Sequence, residues 1–348
     1  MQQYLRPDIR AMAGYAPGEQ PRTDDFVKLN TNENPYPPSP RALEAIQQAV
    51  RGERLRKYPD PSGKAFREAA GRMLNVDPEG ILVGNGSDDL LTIVTRAFVP
   101  QGGCIAAPTP SYVLYPSLAQ IQGARFEGVP FTENWGLPDP WPLRGQANLV
   151  FLTNPNSPSG TSIDPEQIGA WAEGLDAPLI LDEAYVDFAE QNGLGLVESS
   201  PVIVLRTLSK SYSLAGLRFG FAIADPSTIA ELIKVKDSYN CDALSLAGAL
   251  AALEDREYML TTRTRILATR NRLTSLMQRL GFVVSPSQSN FVWCRRQDRP
   301  VKPIYEELKA RNILVRYMNY AGYGDGLRIS VGTEVEIDRL QEELERIL

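Results

Sequence analysis

"VIVLRTLSKSYSLAGLRFGFAIA", residues 202–224, sets a polar segment between two apolar runs. "VIVL" (202–205) and "FAIA" (221–224) read as short strands buried on both faces. Between them, "RTLSKSYSLAGLRFG" (206–220) holds three serines, two arginines, a threonine, one lysine and two glycines. That composition suits neither a helix nor a strand. It predicts a polar loop that returns to the sheet and keeps Lys210 close to the core.

Further out, apolar runs of the same kind alternate with helical patterns. "ILVG" (81–84) precedes "SDDLLTIVTRAFV" (87–99), and "GCIAAP" (103–108) precedes "SYVLYPSLAQIQG" (111–123). "NLVFLTN" (148–154) precedes "DPEQIGAWAEGL" (164–175), and "PLILDEAY" (178–185) leads on to "VIVLRT" (202–207). This alternation predicts the α/β class, with a mostly parallel sheet covered by helices on both faces. Upstream, "SPRALEAIQQAVR" (39–51) predicts a helix with Ser39 as N-cap and Pro40 first, and "SGKAFREAAGRML" (62–74) a second. Residues 226–255 and 256–281 read as long helical stretches. Strands are expected at 290–295 and 327–332, with a helix at 300–312 between them and an amphipathic helix at 334–348. The expected organisation is an N-terminal arm over 1–30 that joins the small domain, a large domain over 31–240 and a smaller α+β domain over 241–348.

The chain has 348 residues, 43% hydrophobic and 22% charged, which is ordinary for a globular protein with more than one core. A net charge of −6 argues against nucleic-acid or anionic-membrane partners. Cys104, Cys241 and Cys294 are odd in number and show no CxxC spacing, so free thiols in a reducing compartment are expected. "MQQYLRPDIR" (1–10) carries no apolar signal region, and a cytoplasmic location is expected. The chain has no histidine. Catalysis by Ser-His-Asp or Cys-His is thereby excluded, as is any histidine-ligated metal. Proton transfer near neutral pH must use Lys, Asp, Glu, Tyr, Cys or a cofactor.

Lys210 is the first candidate. A lysine charge between buried strands is costly unless its pKa falls or the amine reacts. A Schiff base to an aldehyde cofactor removes that cost. Thr207, Ser209, Ser211 and Arg218 lie close by in sequence and suit a phosphate. "GNGSDDLL" (84–91) follows a strand and opens a helix, so the amides of Ser87 and Asp88 form a second phosphate seat. "LILDEAYVDF" (179–188) puts Asp182 and Tyr185 at the carboxyl end of a strand, where open α/β sheets bind ligands. An aspartate there pairs with a pyridinium nitrogen and keeps the ring an electron acceptor, while Tyr185 bonds a ring hydroxyl. In "NPNSPSG" (154–160), Asn154 and Asn156 offer amides to a ring oxygen. Tyr112 offers a ring to lay on a planar cofactor, and Arg328 a fork for a carboxylate.

Taken together, "LNTNENPYPPSP" (29–40), "YPDPSG" (58–63), "GNGSDD", "NPNSPSG", "DEAYVDF", "SKSYSLAGLRFGF" (209–221) and "LRISVGT" (327–333) resemble the fold-type I pyridoxal-phosphate aminotransferases. The resemblance runs over essentially the whole chain, in the family's order. It implies an aspartate-aminotransferase-like fold, with a mostly parallel seven-stranded sheet in the large domain. It implies pyridoxal 5'-phosphate as cofactor, Lys210 as its Schiff-base partner and proton carrier, and Asp182 and Tyr185 on the ring. Ser87, Asp88, Thr207, Ser209 and Arg218 would line the phosphate site, and Tyr112 would stack on the ring. Tyr58 would reach the phosphate of a neighbouring subunit in a homodimer with shared sites. Arg328 would hold the substrate α-carboxylate. Arg316 and Tyr15 would meet a substrate phosphate, with Asn32 also on the substrate side. The family has asparagine before its "PTG" turn, where this chain has Ser157 and "PSG". Either Ser157 or the adjacent Asn156 would take that role.

The reaction implied is transfer of an amino group between L-histidinol phosphate and 2-oxoglutarate, as in histidine biosynthesis. An aromatic amino-acid aminotransferase would use the same site and leave Arg316 idle. A threonine-phosphate decarboxylase would remove a carboxylate instead of a proton. A non-catalytic effector-binding domain is least favoured: it calls for a DNA-binding module upstream, and only residues 1–30 precede the core.

Overall fold

Ser39 ends an extended segment and starts a helix, its Oγ accepting the Arg41 N–H at 3.1 Å. In the computed structural model, which describes residues 1–14, 18–21, 25–51 and 53–348, similar local signals set most element boundaries. The helices are α1 (Pro7–Ala11), α2 (Pro40–Val50), α3 (Lys64–Leu74), α4 (Ser87–Phe98), α5 (Leu114–Gln122) and α6 (Pro165–Glu173). After them come α7 (Pro226–Ile233), α8 (Ala243–Glu254), α9 (Arg256–Arg279), α10 (Lys302–Ala310) and α11 (Glu334–Ile347).

Two sheets carry the chain. Strand β1 (Val27–Leu29) belongs to the second of them. The first contains β2 (Ile81–Gly84), β3 (Cys104–Thr109), β4 (Arg125–Pro130), β5 (Leu149–Thr153), β6 (Leu179–Asp182), β7 (Val202–Thr207) and β8 (Gly220–Ile223). Its order is β2-β8-β7-β6-β5-β3-β4, and β4, β3, β5, β6 and β7 run parallel. Strand β8 is antiparallel to β7 and β2 because residues 208–219 form a loop rather than a crossover helix. The side chains alternate between two apolar layers. Val150, Leu152, Leu179, Leu181 and Val204 pack on one face, and Leu149, Phe151, Ile180, Ile203 and Leu205 on the other. Burial on both faces is the reason these strands read as unbroken apolar runs.

The second sheet adds β9 (Val283–Val284), β10 (Phe291–Arg295), β11 (Ile313–Tyr320) and β12 (Gly324–Ser330), in the order β1-β11-β12-β10-β9. Helices α9, α10 and α11 cover it through Ile266, Leu273, Ile304, Leu308, Ile337 and Leu340.

One expectation needs correction, and one boundary we propose to move. The stretch 226–255 is not one helix: it breaks after Ile233, and Asp242 caps a new one by accepting the N–H groups of Leu244 and Ser245. Helix α8 also packs with α2 and α3, and its Ala249, Ala252 and Leu253 share a core with Ala42 and Phe66. Met259 of α9 lies in that core too, whereas Ile266 lies in the other. We therefore place the passage between the two cores inside α9 rather than at residue 240. Among the described residues, no helix is long and apolar enough to cross a membrane.

Candidate active site

Strands β5, β6 and β7 end side by side at Thr153, Asp182 and Thr207. The polar loop after β7 folds back across these ends. Leu208, Leu214 and Phe219 are buried and pin it, with the Leu208 N–H bonded to Phe219 O and the Leu214 N–H to Leu208 O. Thr207, Ser209 and Lys210 are thereby turned toward a cavity of about 200 Å³ at the strand ends. Nζ of Lys210 donates to the Thr31 carbonyl at 3.2 Å. Removal from bulk water lowers this amine to about 8, with nearby Arg328 lowering it further and Glu33 opposing.

Asp182 forms part of the cavity wall and is 3% exposed. Its Oδ2 accepts the Tyr115 hydroxyl and its Oδ1 the Ala184 N–H, both at 3.1 Å. Burial outweighs these donors and raises the carboxyl to about 6, with Asp88 and Glu183 adding to the rise. It makes no ion pair among the described residues.

On the opposite side, Gly86 enters α4 with φ +85°, and a Cβ there would lie 2.8 Å from Nη2 of Arg218. Only glycine leaves room for the guanidinium beside the amides of Ser87 and Asp88. Arg218 itself adopts left-handed backbone, φ +53°. The Asp88 carboxylate accepts Nη2 of Arg218 at 3.3 Å and the Tyr112 hydroxyl at 3.1 Å. The Ser209 N–H donates to Thr207 Oγ1 at 3.2 Å, so these hydroxyls complete the rim.

The second sheet closes the cavity. Arg316 and Arg328 face each other directly in the β11–β12 register, and both line the cavity. Arg328 donates to Ser157 Oγ at 3.0 Å and to Asn30 O at 3.1 Å. Asn32, with φ +56°, ties the two halves together. Its Nδ2 donates to the Tyr185 hydroxyl at 2.9 Å, and its N–H and Oδ1 both meet Ser330 Oγ. Asn290 Nδ2 donates to Asn32 O at 3.0 Å.

The cavity thus brings together Lys210, Asp182, Tyr185, Tyr112, Ser157 and Arg218 with the other residues read from the sequence, apart from five. Ser211 is one of these, its Oγ donating instead to Asp187. The amides of Asn154 and Asn156 do not reach it: Asn154 bonds both ways with Ile163, and Nδ2 of Asn156 donates to Pro110 O and Ser159 Oγ. Both prolines of that turn, Pro155 and Pro158, follow cis peptide bonds. Tyr58 is 81% exposed and stacks on Tyr239 outside the cavity. Tyr15 lies outside the described residues. Asn32 does line the cavity, but its carboxamide is engaged by Tyr185 and Ser330 rather than held out for substrate. Sequence reasoning passed over Tyr115 and Thr153, and also Asn34, whose Nδ2 donates to the carbonyls of Lys210 and Ser211. Tyr115 sits in the first turn of α5, just after Tyr112, and meets its ring edge-on at 5.7 Å.

A planar, phosphate-bearing aldehyde with a basic ring nitrogen matches these features: a cradle only glycine permits, an amine at reduced basicity and a buried carboxylate without a cation. The family model for aminotransferase class I and II matches residues 24–344. The chain belongs to that family. It is 50% identical over 346 residues to the histidinol-phosphate aminotransferase of Rhodopirellula baltica, covering 99% of this chain and 95% of that one. A second class I and II relative, histidinol-phosphate aminotransferase 1 of Trichormus variabilis, is 45% identical and covers 96% of each. Among solved structures, the histidinol-phosphate aminotransferase of Sinorhizobium meliloti in complex with pyridoxal-5'-phosphate superposes with a TM-score of 0.88 at 26% identity, covering 99% and 98%. A tetra mutant of Thermus thermophilus aspartate aminotransferase superposes at 0.81 with 21% identity, covering 99% of each chain, a likeness of fold. The architecture is accordingly the fold type I, aspartate-aminotransferase-like one expected above.

Proposed function

We propose that the protein is a pyridoxal-phosphate aminotransferase that moves an amino group between L-histidinol phosphate and 2-oxoglutarate in histidine biosynthesis. The observation that carries the substrate class is the Arg316–Arg328 pair. Like charges directly opposite across two strands repel. The arrangement makes sense when an anion of high charge lies between them. A phosphate monoester and a dicarboxylate both supply one, and phenylalanine does not. The relatives at 50% and 45% identity support the same substrate.

Bound, pyridoxal phosphate supplies the electron sink for a carbanion at the substrate Cα. The residues of this chain do the rest. Arg218, the α4 amides of Ser87 and Asp88, and the hydroxyls of Thr207 and Ser209 would hold its phosphate. Lys210 would hold its aldehyde carbon, then carry the proton to and from the substrate Cα. With an amine lowered to about 8, it is partly unprotonated near neutral pH. Asp182 would keep the ring nitrogen protonated. Tyr185, oriented by Asn32, would donate to the ring oxygen, and Tyr112 would cover one ring face. Arg328 would take the α-carboxylate of the dicarboxylate partner, and Arg316 the substrate phosphate. For the family asparagine's contact with the ring hydroxyl, Ser157 is favoured over Asn156, since it lines the cavity.

The exposed Tyr58–Tyr239 stack supports a homodimer in which Tyr58 reaches the partner's phosphate site. A cytoplasmic location fits the biosynthetic relatives. The test is spectroscopic titration of the cofactor-loaded protein with L-histidinol phosphate, alongside steady-state rates on phenylalanine and CO2 release from threonine phosphate. Conversion of the cofactor to its amine form by histidinol phosphate at the highest kcat/KM is expected. Faster turnover of phenylalanine, or release of CO2, would replace this reading with one of its rivals.

A further inference from the structure

Tyr115 is a fully buried tyrosine in a place where phenylalanine would pack equally well: its ring stacks on Phe151 at 4.4 Å and meets Tyr112 edge-on at 5.7 Å. A buried hydroxyl is a liability unless it is bonded. This one has two partners, Oδ2 of Asp182 at 3.1 Å and Oγ1 of Thr153 at 2.7 Å. A phenol has one hydrogen. An ionised Asp182 can only accept, so that hydrogen goes to Asp182, and Thr153 must be the donor to Tyr115. Thr153 then has its own acceptor side open to Ser111, whose Oγ lies 3.2 Å away. The three hydroxyls therefore point one way, from Ser111 through Thr153 and Tyr115 to the carboxylate. Chains of this kind polarise in series, so each donor strengthens the next.

We propose that Tyr115 is a positioning residue for the reaction: backed by Thr153 and Ser111, its hydroxyl fixes the Asp182 carboxylate as an anion aimed at a protonated ring nitrogen. The proposal rests on the pyridoxal-phosphate reading of the site. In a chain without histidine, a neutral hydroxyl is the donor available for the task, and it can hold the carboxylate without adding a cation that would compete with the ring. The other ionisable groups acting on Asp182 are Asp88 of α4 and Glu183 next to it, and both oppose its ionisation. The Ala184 N–H holds the other oxygen. Without Tyr115 the carboxylate would be more basic and would draw the shared proton off the ring.

The experiment uses the holoenzyme loaded with pyridoxal phosphate labelled with 15N in the ring. Tyr115→Phe keeps the ring packing, and Thr153→Val removes the donor behind it. Both should retain cofactor. In Tyr115→Phe the ring-nitrogen resonance should move toward the unprotonated position, and in Thr153→Val it should move the same way by less. The kcat of Tyr115→Phe should fall about tenfold or more, as for loss of one hydrogen bond to a buried charge, with KM changed less than about twofold. A ring-nitrogen resonance identical to that of the unmodified protein would overturn the proposal, even if activity fell. Should Tyr115→Phe fail to fold, Thr153→Val decides alone: displacement supports the relay, and none refutes it. If the unmodified protein takes up no pyridoxal phosphate, the functional reading itself falls, and the relay with it.

Discussion

Replacing Asp182 with asparagine should stabilise the protein stripped of its cofactor while removing its activity. The folded carboxyl titrates at about 6 against 3.8 for an unperturbed aspartate, because burial disfavours its charge. Between those two values the folded state binds more protons than the unfolded state, so stability falls as pH rises through the window. A gap of about two pH units, at about 1.4 kcal/mol each, comes to about 3 kcal/mol lost at pH 7.5. Asparagine never ionises and avoids that loss. Its Oδ1 can still accept the Ala184 N–H, but its Nδ2 donates, so the Tyr115 hydroxyl must accept there and turn its own hydrogen to Thr153. Exchanging a bond to a carboxylate for this neutral one costs about 1 kcal/mol. The net gain is about 2 kcal/mol at pH 7.5. Below pH 3.8 the carboxyl is protonated in both states, the gain disappears, and the variant should be equal or slightly worse. Thermal or urea unfolding of the two cofactor-free proteins at pH 7.5 and at about pH 3.5 measures the difference. A destabilised variant at pH 7.5, or a gain of the same size at both pH values, would refute the argument that a buried, unpaired charge sits at this position.

Arg316→Gln should lower kcat/KM for histidinol phosphate about ten- to a hundredfold, the value of a charge-assisted contact, and leave phenylalanine turnover nearly unchanged. The same variant should unfold no more easily than the parent, since it relieves a like-charge cross-strand pair; equal losses on both substrates would contradict the role. Covalent loading of pyridoxal phosphate into the stripped protein needs the free amine of Lys210, so its rate should rise with pH and level off above about 8, while Lys210→Ala should form no borohydride-fixable bond to the cofactor at any pH; a fixable bond in that variant would contradict the role. Tyr58→Phe should leave the fold intact because its side chain is 81% exposed, yet weaken cofactor retention if Tyr58 serves a partner's site in the proposed dimer; unchanged retention would separate Tyr58 from the site.

The alternation of short apolar runs with helices was enough to place β2, β7 and α4 nearly to the residue, because each is decided locally: two buried faces for the strands, a glycine entry for the helix. Lys210, Asp182 and Arg218 were legible for a related reason. Each is a charged residue set beside an apolar run, a local conflict that draws the eye to it. Elements decided at long range were not legible. Edge strand β4 is half exposed and shows no apolar run, and β11 is a strand because it pairs with β1 and β12. The break between α7 and α8 depends on Asn240, whose Nδ2 reaches Val83 O and Asp89 Oδ2 on the first sheet's side of the chain. Asn32 looked like a substrate contact, and its bonds to Ser330 and Asn290 join residues nearly the whole chain apart. Asn156 failed because Ser159 of its own turn and Pro110 O of a distant loop both take its amide.

The perturbations in the cavity share one logic. Asp182 is pushed toward holding a proton, Lys210 toward giving one up, and Arg316 and Arg328 face each other with like charge. The first two are unfavourable to the protein alone and opposite in sign, so no single shift of pH relieves both. A single ligand set does so: a cationic ring nitrogen for the carboxylate, an electrophilic carbon for the amine, and anions for the arginines. Binding should therefore tighten the two sheets onto each other, since Asp182 and Lys210 stand on the first and the arginines on the second.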